Sequence, residues 1–202
     1  MRDVIIPKSS SSLVGQLASL YEVFKNASSG EDLNFDLNQI TFTYPLLISP
    51  ICSYLKTTQS KYSIGDGSKI KSYLDTIEFP KGMNSVSEFG AQIQSTKNYI
   101  PISILHREKP ADREKLESLF EQMVYKTIDK SGIDGIKNAI YYPIGELVAN
   151  IFDHSKVDEG LIFGQFYPKM NSLDICIVDR GRGLVKAYQQ EKGLSLSDGD
   201  AI

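Results

Sequence analysis

Apolar and polar positions change period several times along the 202-residue chain, and each change marks an element. Val4-Ile5-Ile6 is a short apolar run ended by Pro7. Leu13, Leu17, Leu20, Tyr21 and Phe24 then recur at helical spacing, which predicts a helix over 13–25 with one apolar face. Leu33, Phe35 and Leu37 alternate with polar residues as in a half-buried strand, and Ile40–Thr43 extends that character. Ser49-Pro50 offers an N-cap followed by proline at the first helical position, for a helix to about Lys56; Pro45 allows an earlier start. Strands are predicted at 62–64 and 99–105, with a helix near 70–74 between them. Leu116, Leu119, Phe120, Met123, Val124 and Ile128 form a strong helical stripe over 111–129, stopped by Ser131-Gly132. A second stripe runs through Ile133, Ile136, Ile140, Ile144, Leu147, Val148 and Ile151, with a kink or break expected at Pro143. Two strand-like runs, 160–167 and 173–178, are joined by a hairpin-sized loop, and a last helix is expected over 184–191. The alternation of strands and helices predicts an α/β (α+β) protein.

The sharpest shift in composition is the charged, Pro110-containing stretch 106–114, so the chain is expected to divide into residues 1–108 and 109–202. Lys plus Arg number 22 against 25 Asp plus Glu, a net charge of −3, which argues against a dedicated nucleic-acid or anionic-membrane binder. No apolar run approaches membrane-spanning length, and the N-terminus has no secretory pattern. Cys52 and Cys176 are isolated in apolar surroundings, which points to buried thiols in a reducing compartment, and a cytoplasmic protein is expected.

Residues 34–42, Asn-Phe-Asp-Leu-Asn-Gln-Ile-Thr-Phe, followed by Tyr44-Pro45-Leu46 and a helix, resemble the STAS domain, the fold of anti-sigma-factor antagonists. The family's phosphoacceptor loop, Asp-Ser-Ser-Gly, is replaced here by Thr43-Tyr44-Pro45-Leu46, so no phosphorylation site is carried over.

Two chemical signals follow in the second half. Glu146, Asn150 and His154 stand four residues apart on the second helix, along one face, beside the apolar Leu147, Val148 and Ile151. Polar groups so placed would line the edge of a pocket. After the last strand comes Asp179-Arg180-Gly181-Arg182-Gly183. A carboxylate at a strand end can accept from an exocyclic amine such as that of adenine, and the glycines allow close backbone approach. Residues 145–155 resemble the N-box, and residues 177–184 the G1 box (Asp-x-Gly-x-Gly), of the GHKL ATPases with the Bergerat fold. That superfamily includes gyrase B subunits, heat-shock chaperones and histidine kinases. The 29-residue step from Asn150 to Asp179 leaves room for the two strands that this fold places between the motifs.

The resemblance implies a role for each residue. Asn150 would ligate the Mg²⁺ that bridges the ATP phosphates. Glu146 would orient or activate water. His154 would contact phosphate or ribose. Asp179 would read adenine, and Gly181 and Gly183 would let the chain pass the base. Arg180 and Arg182 occupy variable positions and inherit no role. The family continues into an ATP lid and a glycine-rich G2 box; no such sequence follows Gly193, and 197–202 looks like the beginning of the lid. The ATP-binding domain is therefore expected to be incomplete at its C-terminus, with turnover in doubt. The resulting expectation is an ATP- and Mg-binding signalling or partner-switching module resembling anti-sigma-factor or histidine-kinase ATPase domains. Its partner would be a sigma-factor-like protein, a STAS-like protein or a second copy. The alternative is a non-enzymatic interaction module with a vestigial nucleotide site.

Overall fold

A computed structural model describes residues 1–8, 10–28, 30–85, 87–88, 98–129, 136–195 and 197. Ser131, Gly132, Ile133 and the stretch 198–202 lie outside them, as do the side chains of Met123, Val124, Ile128, Ile136 and Ile140. The protein is a mixed α/β fold built on two three-stranded sheets.

In the first sheet β1 (Arg2–Ile5), β2 (Leu33–Asp36) and β3 (Lys61–Ser63) are parallel and in chain order, with Val4 beside Phe35 and Phe35 beside Tyr62. The crossovers are helices α1 (Leu13–Phe24) and α2 (Pro45–Thr57), as parallel neighbours require. Val4, Leu33 and Phe35 are buried under these helices, while Asp3 and Asn34 face outward and hydrogen-bond each other at 2.8 Å. The strand character expected to continue over Ile40–Thr43 stops early. Asp36 Oδ1 accepts from the backbone N–H of Asn38 (2.9 Å) and from its side-chain amide (2.7 Å), and this turn ends β2.

The second sheet is antiparallel, with β5 (Glu159–Tyr167) between β4 (Tyr99–His106) and β6 (Ser172–Val178). Its two faces feed two cores. Leu161 and Phe163 point to one and Ile162 to the other, so β5 is apolar almost throughout rather than alternating. One face packs on α2. The other is covered by α4 (Pro110–Asp129) and α5 (Ile136–Asp153), with Leu116, Phe120, Val148, Ile151 and Phe152 buried there. A short helix, α3 (Lys71–Thr76), precedes this sheet, and α6 (Gly183–Lys192) follows it. Strand β4 lies before the expected boundary near residue 108, yet it is hydrogen-bonded to β5, and the larger core draws on both halves of the chain. Among the described residues no helix is long and apolar enough to cross a membrane.

In two helices the structure selects between alternatives the sequence left open, and in a third it departs from the expected face. Helix α2 takes the earlier start, with Pro45 in its first turn, and Pro50 sits inside it. Leu47, Ile48, Ile51 and Cys52 are all buried because this helix lies between the two sheets. Helix α5 runs through Pro143 as one element, so of the kink or break expected there the break does not occur. Helix α1 is turned relative to its expected face. Leu20 and Phe24 do pack inward, Phe24 against the rings of Phe35 (6.0 Å) and Tyr54 (5.4 Å). Leu13, Leu17 and Tyr21, by contrast, point to solvent, and Gln16 and Ser19 are buried. The buried Gln16 lies close to the half-buried Asp174 carboxylate on β6.

Candidate functional site

Strand β6 ends at Val178, and the chain turns through residues 179–182 into α6. Two local features make this turn. Asp179 Oδ1 accepts from the backbone N–H of Gly181 at 2.8 Å, and Gly183 begins α6 with φ +73°, where a residue without Cβ is unstrained. The loop then lies against the C-terminal end of α5, where Arg182 N–H donates to the Ser155 carbonyl at 3.2 Å. The contact at Gly181 is closer still. A Cβ there would fall 2.4 Å from the Ser155 carbonyl oxygen and 2.3 Å from its Cβ, so glycine is required by packing.

Between α5, β6 and α6 lies a cavity of about 800 Å³. That is within the usual range for small-molecule sites. Of the residues singled out in the sequence, Asn150, His154, Asp179 and Gly183 all line it. Glu146 and Gly181 are not among its lining residues: Glu146 is exposed one turn before Asn150, and Gly181 packs behind the rim on Ser155. Leu46, Ile144, Leu147, Ile151, Ile175 and Ile177 supply apolar walls. One end of the cavity is therefore polar and the rest greasy, which suits a flat apolar group carrying a few hydrogen-bonding edges.

The charged end contains groups that the sequence reading assigned no role. Arg182 is only 11% exposed and is fully engaged. Its Nε donates to the His154 carbonyl (2.7 Å), Nη1 to Gln190 Oε1 (2.7 Å), and Nη2 to Glu191 Oε1. Glu191 Oε2 lies 3.8 Å from His154 Nδ1. The Arg182 guanidinium holds the Glu191 carboxyl below the usual carboxylate range. Arg182 thus fastens α6 to the end of α5, and Glu191 stands as an anion beside His154 and Lys192 in the cavity wall. Arg180 leaves the loop in the opposite direction. It donates to the Thr57 hydroxyl and its guanidinium lies 4.4 Å from the centre of the Tyr54 ring, tying the loop to α2. The sequence held no signal for these contacts, because Thr57 and Glu191 meet the arginines only through the tertiary fold.

Cys176 forms part of the cavity wall, and Cys52 is buried within α2. Burial pushes the Cys176 thiol up to about 11 and the Cys52 thiol to about 12, so neither is a reactive thiolate at neutral pH. Among the described residues no group of three or more His, Cys, Asp or Glu could hold a metal ion. A magnesium ion carried by phosphate oxygens, waters and one amide oxygen requires no such group. Compared with protein-family models, curated proteins and solved structures, the chain matches none.

Proposed function

We propose that the cavity between α5 and α6 binds an adenine nucleotide with magnesium, and that the chain is a nucleotide-dependent regulatory module. The observation that carries this reading is convergence. Asn150 comes from α5 and His154 from the turn that follows it, Asp179 and Gly183 from the loop and the start of α6, 29 residues further on from Asn150 to Asp179, and all four meet at a single cavity of suitable size. The chemistry of the walls fits the ligand. The base would lie among Ile144, Leu147, Ile151 and Ile175, with the Asp179 carboxylate as acceptor for its exocyclic amine. The phosphates would meet His154 and Lys192. Asn150 would hold magnesium through its amide oxygen; the ion, when bound, neutralises phosphate charge.

The same geometry favours binding over rapid turnover. Glu146, the residue expected to orient water, does not line the cavity. A second reading, a protein-interaction module with a vestigial site, is favoured by Glu191, whose carboxylate faces the groups that would receive phosphate. Calorimetric titration of Mg-ATP, Mg-ADP and AMP into the chain separates the two. The nucleotide reading expects Kd values on the order of 10–100 µM for ATP and ADP. No heat with any of them up to millimolar concentration would falsify it.

Glu191 gives a second test. Glu191→Gln removes one negative charge from the phosphate end while preserving an acceptor for Arg182. Mg-ATP and inorganic pyrophosphate should each bind roughly three- to tenfold tighter, with the gain shrinking as salt is raised. Unchanged affinity for both would place the phosphates elsewhere.

A further inference from the structure

The rotation of α1 leaves a surface that the fold does not use. Leu13 is 65% exposed, Val14 77%, Leu17 48% and Tyr21 66%. With Ala18 they form one stripe along two turns, while the polar Gln16 and Ser19 of the same helix are buried. Single exposed apolar residues need no explanation, but a continuous exposed stripe of them on one helix does.

We propose that this stripe is the interface between two copies of the chain, paired antiparallel through α1 about a two-fold axis near Leu17. The inference is independent of the nucleotide reading. Two observations support it. The first is area: at these exposures the five residues present on the order of 500 Å² per copy, so self-pairing would bury at most about 1,000 Å², the size of a weak, reversible interface. The second is charge. The first turn of α1 has no acidic residue, its N-cap is Ser12, and the helix carries its charges, Glu22 and the C-cap Lys25, at the other end, paired at 2.5 Å. An antiparallel partner brings Glu22 to the other copy's helix N-terminus, where the dipole favours an anion; a parallel partner would set Glu22 beside Glu22. The pairing is then self-consistent. With the axis at Leu17, Leu13 of one copy faces Tyr21 of the other twice over, the self-complementary pattern a closed dimer requires. At this size the contact is a reversible one.

The test is sedimentation equilibrium of the full chain, with Leu17→Glu and Val14→Glu as variants. Both positions are exposed in the single chain, so circular dichroism and the thermal midpoint should be retained. The wild type is expected to show the mass of two chains at about 100 µM and to dissociate on dilution, and each glutamate variant to stay at the mass of one chain. Leu17→Cys should cross-link copy to copy under mild oxidation, since Cys52 and Cys176 are buried. A wild type that remains a single chain at that concentration overturns the proposal and leaves the stripe to a different partner. So does a dimer that survives both glutamate substitutions.

Discussion

Asp179→Asn is expected to reduce Mg-ATP binding by about 100-fold while leaving the loop folded. Asparagine keeps an oxygen for the Gly181 N–H, which Asp179 now receives at 2.8 Å, so the turn into α6 survives. The difference falls on the other side of the carboxyl group. There, on the nucleotide reading, the aspartate would present an anionic acceptor to an exocyclic amine, and asparagine an amide that can turn a donor toward it. Hydrogen bonds to charged acceptors are worth about 1.5–3 kcal/mol, and opposing two donors adds a desolvation cost, which together reach two orders of magnitude. Pyrophosphate, which has no base, should bind the variant as it binds the wild type. Titrations of both ligands check the assignment: equal losses for ATP and pyrophosphate would mean that the loop has collapsed, and no loss for ATP would remove Asp179 from base recognition.

The residues that could be read from the sequence are those whose role is set locally. The stripe of Asn150 and His154 follows from helix period alone, and the turn at Asp179 from one aspartate followed by two glycines. Both lie where period and turn chemistry place them, at one cavity. What was not legible depends on which element lies against which. Helix α1 has an apolar period, yet the tertiary fold turns Gln16 and Ser19 inward and Leu13, Leu17 and Tyr21 outward. Strand β4 looked like the end of the first half because charge density rises after it, yet its neighbour is β5. Helix α2 looked as though it would begin at Ser49-Pro50. Burial between two sheets outweighs the missing N–H of Pro50, whose loss costs a helix one bond. The latch of Arg182 and Glu191 belongs to the same class, since a nine-residue separation across a loop and a helix has no signature of its own.

The latch and the glycine beside it make the loop a rigid part, which leads to the second large effect. Gly181→Ala should lower stability by about 2 kcal/mol and weaken Mg-ATP binding at least as much as Asp179→Asn. The added Cβ would lie 2.3 Å from Ser155 Cβ, 2.4 Å from its carbonyl oxygen and 2.7 Å from its Cα. None of these is the end of a flexible side chain, so the loop must retreat by about an ångström, at a cost typical of overpacking. Retreat strains the Arg182 N–H bond to Ser155 (3.2 Å) and carries Asp179 away from the cavity wall. The lower entropy of the unfolded alanine chain offsets only about 0.4–1 kcal/mol. Gly183→Ala is the matched control: its Cβ meets nothing within 4 Å, and its cost is only the strain of φ +73°, about 1 kcal/mol. Thermal melts should therefore place Gly181→Ala some 4–8 °C below wild type and Gly183→Ala about half as far. A Gly181→Ala protein that melts with the wild type and binds ATP equally well would show that the loop does not depend on its contact with Ser155.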